Sequence, residues 1–153
     1  MGFDLAVRLV DLDPHVIEGK AEDRSTVGTN LRDINRWAQA MITEAGAQSC
    51  YVDYEPPFGR GPFGHYICTS VNDAVLHGRP HDYTLADGDL LTLDLAVSKG
   101  GVVADSAISF IVDDSKPSEQ RRSRNPHLAN AGAAVRSERP VSLLPKHFTA
   151  NRW

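Results

Sequence analysis

The clearest pattern in the chain is a pair of apolar-rich runs separated by a lysine and two glycines. Residues 90–98 and 102–112 are rich in aliphatic and β-branched side chains, and they flank Lys99, Gly100 and Gly101. Two such runs around a short glycine-containing turn are typical of a β-hairpin. We therefore predict two long antiparallel strands that meet at this turn.

Two turns fit this hairpin, and each gives a different register. If the turn comprises the lysine and the first glycine, Asp94 faces Asp105 directly. If it comprises the two glycines, Asp105 faces Ala96 and Asp94 is its diagonal neighbour. Both registers place the two carboxylates on one face, about 4.5–8 Å apart at their Cβ atoms. The opposite face is apolar and suits a core: Leu91, Leu93, Leu95, Val97, Ile108, Phe110 and Val112.

The two carboxylates on one face allow three interpretations. Like charges on neighbouring strands destabilise a sheet unless something neutralises them, and a divalent cation is the obvious candidate. Alternatively, both acids point into water, where screening makes the repulsion tolerable. A third possibility is an acid dyad that shares one proton. The hairpin pattern by itself leaves all three open.

A second strong pattern predicts a helix over residues 30–45. Thr29 can cap its start and Gly46 can end it. The apolar positions recur at helical spacing: Leu31, Ile34, Ala38, Met41, Ile42 and Ala45.

The remaining segments give weaker signals. Residues 66–71 and 74–78 are interpreted as two short strands joined at an Asn-Asp turn. Residues 53–65 are rich in Gly, Pro and aromatic side chains, which favours an irregular loop. Residues 1–28 show no sustained period of 3.6 or 2, so no element is predicted there.

The amino-acid composition says little about the class of protein. The 153 residues suit one domain, and 41% hydrophobic with 24% charged residues is ordinary for a soluble globular protein. The apolar runs are much shorter than the ~20 residues that span a bilayer, so no membrane association is expected. Cys50 and Cys68 form no CxxC pair, which favours a reducing cytoplasm.

Charge is distributed unevenly along the chain. Residues 1–117 hold 9 Lys/Arg and 18 Asp/Glu, whereas residues 118–153 hold 7 Lys/Arg and 2 Asp/Glu. Clustered arginine can bind phosphate, but neither interleaved aromatic residues nor a binding motif accompanies it. Nucleic acid is therefore not an expected partner.

A longer motif connects these elements. It runs Tyr66-Ile-Cys-Thr-Ser-Val-Asn-Asp-Ala-Val-Leu-His77-Gly-Arg-Pro80, then Asp87-Gly-Asp-Leu-Leu-Thr-Leu-Asp94, then two glycines before Asp105. This segment resembles the first half of type I methionine aminopeptidases. Ser-Val-Asn followed after four residues by His-Gly-x-Pro, with Gly-Asp and two spaced aspartates, distinguishes that family from prolidases and creatinases of the same fold.

The resemblance implies an α+β fold. It is the N-terminal repeat of the pita-bread fold, an antiparallel β-hairpin sheet with a helix packed on one face, and it is incomplete. We interpret residues 27–114 as this aminopeptidase-like half, residues 1–26 as an unmatched segment, and residues 115–153 as an unmatched Arg/Pro-rich tail, expected to be disordered. The tail's potential ligands lack the family's context and are read as solvated: His127, His147, Glu119 and Glu138.

The resemblance also assigns roles to single residues. Asp94 corresponds to a bidentate carboxylate ligand of one metal ion, and Asp105 to the carboxylate that bridges two. His77 corresponds to the histidine that contacts the scissile amide of the substrate; a lone histidine outside this motif is more often structural. Cys68 corresponds to a cysteine near the methionine-binding pocket. Three aromatic residues are weaker pocket candidates, for which ordinary packing is an equal alternative: Tyr54, Phe63 and Tyr66.

The implied activity is removal of the N-terminal methionine from nascent polypeptides in the cytoplasm, with two divalent ions (Co, Mn, Fe or Zn). The family completes its site with a His and two Glu from a second repeat that this sequence does not show. We therefore expect a partial, weak metal site and a truncated chain that is inactive alone, unless a second polypeptide completes it. The alternatives are a non-catalytic peptide-binding member of the same fold and an unstable gene fragment.

Overall fold

The structure, a computed structural model, describes residues 14–55, 61–113 and 115. The predictions for residues 1–13 and for the tail beyond residue 115, including its two histidines and two glutamates, lie outside the described residues. The described part is an α+β unit, which confirms the predicted fold class. Its elements are α1 (Pro14–Arg24), α2 (Leu31–Glu44), β1 (Gln48–Ser49), β2 (Cys68–Val71), β3 (Leu90–Lys99) and β4 (Val102–Ile111).

The predicted hairpin is present as β3 and β4, and its register is settled. Asp94 pairs with Ala107 and Ala96 pairs with Asp105, so the turn comprises the two glycines. Gly100 and Gly101 have φ of 60° and 84°, the left-handed region that a two-residue hairpin turn of this kind requires. The alternative in which the two carboxylates face each other directly is therefore wrong.

The sheet has four strands, and β3 is its centre. β4 pairs with β3 along its whole length, from Leu90 opposite Ile111 to Lys99 opposite Val102. The other edge of β3 is shared by the two short strands, with β1 pairing at residues 97–98 and β2 at residues 91–94. All three pairings are antiparallel, so side chains that oppose one another across the sheet point to the same face.

One face of this sheet is the core, as its alternation predicts. The β3 side chains on this face, together with Phe110 of β4, are fully buried against the helices: Leu91, Leu93, Leu95 and Val97. Burying each such side chain stabilises the fold by about 1.5–3 kcal/mol. The helices add their own buried residues: Ile17, Ala21, Leu31, Ile34, Ala38 and Ile42. Neither helix in the described part of the chain is long and apolar enough to cross a membrane.

Helix α2 confirms the predicted helix, but its cap differs by one residue. Asn30 is extended, and its side chain accepts a hydrogen bond from the Arg32 backbone N–H at 3.0 Å. Thr29 instead accepts a bond from the Thr26 backbone N–H and lies outside the helix. At the other end, Gly46 has φ of 62° and donates to the Thr43 carbonyl, as a helix-ending glycine does.

Helix α1 was not predicted, because its inward face is only half apolar. Ile17 and Ala21 are buried there, but so are Glu18 and Glu22, which interrupt the hydrophobic period. Ser106 of β4 donates a hydrogen bond to the Glu18 carboxylate at 2.8 Å, so a polar contact joins this helix to the sheet.

The predicted strand over residues 74–78 is wrong. Strand β2 begins at Cys68, two residues later than predicted, and the chain turns at once after Val71, where the Ala74 backbone N–H donates to the Val71 carbonyl. The side chains of Val75 and Leu76 are 80% and 56% exposed. An apolar run is therefore not sufficient for a strand here, because no neighbouring strand pairs with it.

The alternation of β4 gives a stability test. Phe110→Ala should destabilise the fold by about 3–5 kcal/mol, because it leaves a cavity in the core. Ile111→Ala, one residue away on the exposed side, should cost less than about 1 kcal/mol. Urea denaturation followed by circular dichroism measures both. Equal losses for the two variants would contradict this assignment of faces.

Candidate metal centre

The face opposite the core carries the chemistry. Asp94 on β3 and Asp105 on β4 are diagonal neighbours on this face, both half-buried, and we call it the carboxylate face. Diagonal positions across an antiparallel pair are about 7–8 Å apart. A hydrogen bond of 2.8 Å between the hydroxyls of Thr92 and Ser109 closes one end of the pair. The sequence prediction that both acids share a face is confirmed.

Asp94 is held by a tyrosine that the sequence analysis did not single out. The Tyr51 hydroxyl donates a hydrogen bond to Asp94 Oδ1 at 2.7 Å. Burial raises the pKa of Asp94, and this hydrogen bond opposes the rise. Burial and the charges of the two aspartates raise the pKa of the Tyr51 phenol, so it remains a proton donor. The bond joins residues 43 positions apart, and no local motif indicates it.

The pKa of Asp105 is raised because it lies on a partly buried face, close to a second carboxylate. Burial, followed by the charge of Asp94, raises its pKa to about 6. The charge of Asp94 therefore disfavours the ionised form of Asp105 in the protein alone. A divalent cation would reverse this effect, since it favours both ionised forms. The pair thus fits the oxygen-ligand chemistry of a divalent metal site.

Cys68 lies beside Asp94 on the carboxylate face, directly opposite it in the β2–β3 pairing. Its side chain is buried, with 2% of the residue exposed. Burial raises the pKa of this thiol, and the charges of Asp94 and Asp105 raise it further. Cys68 is therefore a protonated, inert thiol in the protein alone, and only a strong cation nearby would ionise it.

His77 lies near Cys68 and Asp94 because its loop makes an unusually close contact with β2. The Gly78 carbonyl accepts a hydrogen bond from the Thr69 backbone N–H at 2.8 Å, and the Gly78 N–H donates to Ser70 Oγ at 3.1 Å. A Cβ atom at residue 78 would lie 2.2 Å from the Thr69 carbonyl oxygen, so only glycine permits this approach. His77 has φ of 56°, a conformation that non-glycine residues rarely adopt.

The start of this loop is also fixed. Asn72, which follows β2 with φ of 56°, donates from its side chain to Asp89 Oδ1 at 2.9 Å. Its side-chain oxygen accepts a hydrogen bond from the Leu90 backbone N–H at 3.0 Å. The loop from residue 72 to residue 78 is therefore attached at both ends, to the start of β3 and to β2.

These contacts bring three different ligand types together. One sulfur of Cys68, one ring nitrogen of His77 and one carboxylate oxygen of Asp94 all lie within 4.8 Å of one another. Among the described residues, these three form the one group of at least three potential metal ligands that lie this close together. Asp105 lies on the same face but outside this group.

The weaker pocket candidates lie in different surroundings. The Phe63 ring meets the Tyr51 ring edge-on, with centroids 6.0 Å apart, so Phe63 borders the carboxylate face. Tyr54 is 47% exposed. Tyr66 packs against the core, and its hydroxyl accepts a hydrogen bond from Gln39 on α2 at 3.1 Å.

Residues 15–136 match the model of metallopeptidase family M24, which is most of the chain. The protein therefore belongs to metallopeptidase family M24, as the sequence motif predicts. The match begins before residue 27 and ends beyond residue 114, so it is wider than the segment that carries the motif.

Within this family, the chain is similar to methionine aminopeptidases. It is 30% identical to the enzyme of Aquifex aeolicus over 95 residues, which is 61% of this chain and 37% of that protein. It is also 30% identical to the Helicobacter pylori enzyme over 61% of this chain and 35% of that protein. The chain thus spans little more than a third of the length of these curated relatives.

Solved structures agree at the level of the fold. The Rickettsia prowazekii methionine aminopeptidase has a TM-score of 0.64 at 24% identity, over 72% of this chain and 42% of that one. The Thermotoga maritima enzyme has a TM-score of 0.54 at 20% identity, over 64% of this chain and 37% of that one. The sheet and helices described above are therefore a partial M24 fold.

The close approach at Gly78 gives a second test. Gly78→Ala should destabilise the protein by about 1–3 kcal/mol, because the added methyl group overlaps the Thr69 carbonyl. Gly19→Ala is the matched control, since nothing lies within 4 Å of its Cβ position and alanine favours the helix by about 0.5–1 kcal/mol. Thermal melts of both variants measure the difference. A stable Gly78→Ala protein would contradict the tight packing of this loop.

Proposed function

We propose that this chain provides the aspartate half of a methionine aminopeptidase metal site. In this proposal Asp94 and Asp105 are metal ligands and His77 contacts the scissile amide of the substrate. The observation that carries it is that these two carboxylates share one face, close to His77, in a member of family M24. The methionine aminopeptidase relatives give the reaction, the removal of an N-terminal methionine.

The chain's own residues have separate roles in this reaction. Divalent ions, when bound, supply Lewis-acid activation of the carbonyl and of water. Tyr51 holds the Asp94 carboxylate in place through its hydrogen bond, so the ligand does not have to be ordered when the metal arrives. His77 is attached through Gly78 to β2, which fixes where a hydrogen bond to the substrate amide can form. Phe63 and Cys68 are proposed to border the methionine side chain.

Two carboxylates do not complete such a site. Together they neutralise half of the four nominal charges on two divalent ions, so the second ion is held weakly. We propose that residues 1–153 alone do not release methionine at a useful rate, and that the missing ligands come from a second polypeptide. Cobalt, manganese, iron and zinc are the candidate metals, polypeptides beginning with methionine the substrates, and the cytoplasm the location.

The carboxylate pair predicts weak binding of Mn²⁺ or Co²⁺. Asp105→Asn should remove most of this binding, because it deletes one of two charged ligands without changing the shape of the side chain. Asp73→Asn makes the same charge change at an exposed position of the loop, so it is the control and should bind like the parent chain. Isothermal titration calorimetry measures all three proteins. Equal affinity of the parent and Asp105→Asn proteins would reject Asp105 as a ligand.

Metal affinity should also depend on pH. Because the pKa of Asp105 is raised to about 6, protons compete with metal ions for this carboxylate at and below that pH. The affinity for Mn²⁺ should be fully developed well above pH 6 and should fall by about tenfold for each pH unit below it, until other groups also titrate. The same titration repeated across pH measures this. The range from about pH 5 to about pH 8 extends from one unit below the pKa of Asp105 to two units above it. A constant affinity across this range would contradict competition between protons and metal ions.

Turnover of a Met-Ala-Ser peptide tests the activity of the chain. We expect no metal-dependent release of methionine above the peptide-only background, because the second ion and its contacts are lost. Mass spectrometry of the peptide in the presence of Mn²⁺, Co²⁺, Fe²⁺ or Zn²⁺ measures the reaction. Robust turnover that disappears in His77→Ala and in Asp94→Asn would show instead that the 153 residues complete a site by themselves.

A further inference from the structure

The three donors that converge beside β3 differ from the pair that defines the proposed function. They are a thiol, an imidazole and one carboxylate, from Cys68, His77 and Asp94. Hard ions such as Mg²⁺, Ca²⁺ and Mn²⁺ select oxygen ligands, whereas thiolate and imidazole together select Zn²⁺ and similar thiophilic ions. The donor set is therefore suited to a different metal chemistry from that of two carboxylates.

We propose that Cys68, His77 and Asp94 form a mononuclear zinc site, with Cys68 as a thiolate ligand. Sites with three protein ligands and a fourth position open to solvent or substrate are common for zinc. This site needs no residue outside residues 68–94 and does not use Asp105.

The fold supports this site with contacts on each ligand. Asp94 is oriented by Tyr51 at 2.7 Å, and Cys68 is fixed opposite Asp94 in the β2–β3 pairing. His77 is next to Gly78, whose two backbone hydrogen bonds attach the loop to β2. Outer contacts of this kind fix ligand orientation in zinc sites.

The distances require only a small adjustment. Ligand atoms around a tetrahedral zinc ion are about 3.3–3.8 Å apart, so atoms within 4.8 Å must approach by roughly 1 Å. The His77 side chain is the ligand that can adjust by rotation, because it is half-exposed even though its backbone is attached at Gly78, whereas Cys68 and Asp94 belong to paired strands. Binding also displaces the thiol proton into solvent, so the site gains an anionic ligand next to a divalent ion.

The two metal sites share Asp94 but differ in their other ligands, which makes their tests separable. His77 and Cys68 bind zinc in this site and contact substrate in the proposed two-metal site, so the two sites are alternative states of one face. Asp105→Asn removes a ligand of the proposed two-metal site but leaves all three donors of the zinc site. Cys68→Ser does the reverse. Failure of one proposal is therefore visible without failure of the other.

Cobalt(II) provides the readout, because a thiolate bound to cobalt gives a sulfur-to-metal charge-transfer band in the near ultraviolet and oxygen ligands do not. The reduced, metal-free full chain is titrated with CoCl₂ under anaerobic conditions. We expect the band to appear in the parent chain and to disappear when a molar equivalent of Zn²⁺ is added.

Variants identify the ligands. Cys50→Ser should keep the band and Cys68→Ser should lose it, since these are the two thiols of the chain. His77→Ala should lower the affinity by more than about 100-fold, because loss of an outer contact alone lowers it by about 10- to 100-fold. Asp105→Asn should keep the band. If Cys68→Ser does not fold, retention of the band in Cys50→Ser still assigns it to Cys68.

Four results would overturn the zinc site. They are absence of the band in the cobalt-saturated parent chain, its loss in Cys50→Ser, its loss in Asp105→Asn, and unchanged cobalt affinity in a folded His77→Ala protein. The last would show that sulfur and carboxylate alone hold the ion.

Discussion

The register of the β3–β4 hairpin is the constraint on which the rest of the molecule depends. Because side chains alternate along a strand, one register turns Leu91, Leu93 and Leu95 of β3 inward and Asp94 outward. A slip of one residue would exchange the two faces, expose side chains whose burial is worth about 1.5–3 kcal/mol each, and place carboxylates in the core. Gly100 and Gly101 hold this register, since both adopt the left-handed backbone conformation of the turn.

The second constraint is the contact between a loop and a strand at Gly78. The hairpin alone positions two carboxylates, but it brings no imidazole to them. His77 arrives because its neighbour packs its backbone directly on that of Thr69, where any side chain would collide. Thr69 is in turn adjacent to Cys68, so the same contact decides which sulfur and which ring nitrogen meet. The site therefore requires glycine at position 78, where a Cβ atom would overlap the Thr69 carbonyl.

These two constraints explain which features the sequence reveals. Alternation and helical spacing are local signals, so the hairpin, helix α2 and the carboxylate face could be predicted from the chain. The register could only be reduced to two choices, because both glycine-containing turns satisfy the same pattern. Helix α1 was missed because buried glutamates disguise its inward face. Tyr51 was missed because its partner is 43 residues away, and such a hydrogen bond leaves no periodic trace.

Electrostatics connects the fold to the chemistry of its face. Burial raises the pKa values of Asp94, Asp105, Cys68 and Tyr51. The charge of Asp94 raises the pKa values of Asp105, Cys68 and Tyr51 further, and the charge of Asp105 does so for Cys68 and Tyr51. Such a group of neighbouring acidic side chains opposes its own ionisation, and the hydrogen bond from the Tyr51 hydroxyl to Asp94 relieves part of this cost. A divalent cation relieves all of it at once, because it stabilises every ionised form that burial disfavours. The same burial that makes this face costly for the protein alone therefore makes it favourable for a metal ion, and the identity of the ion depends on whether the Cys68 sulfur or the Asp105 oxygen joins Asp94.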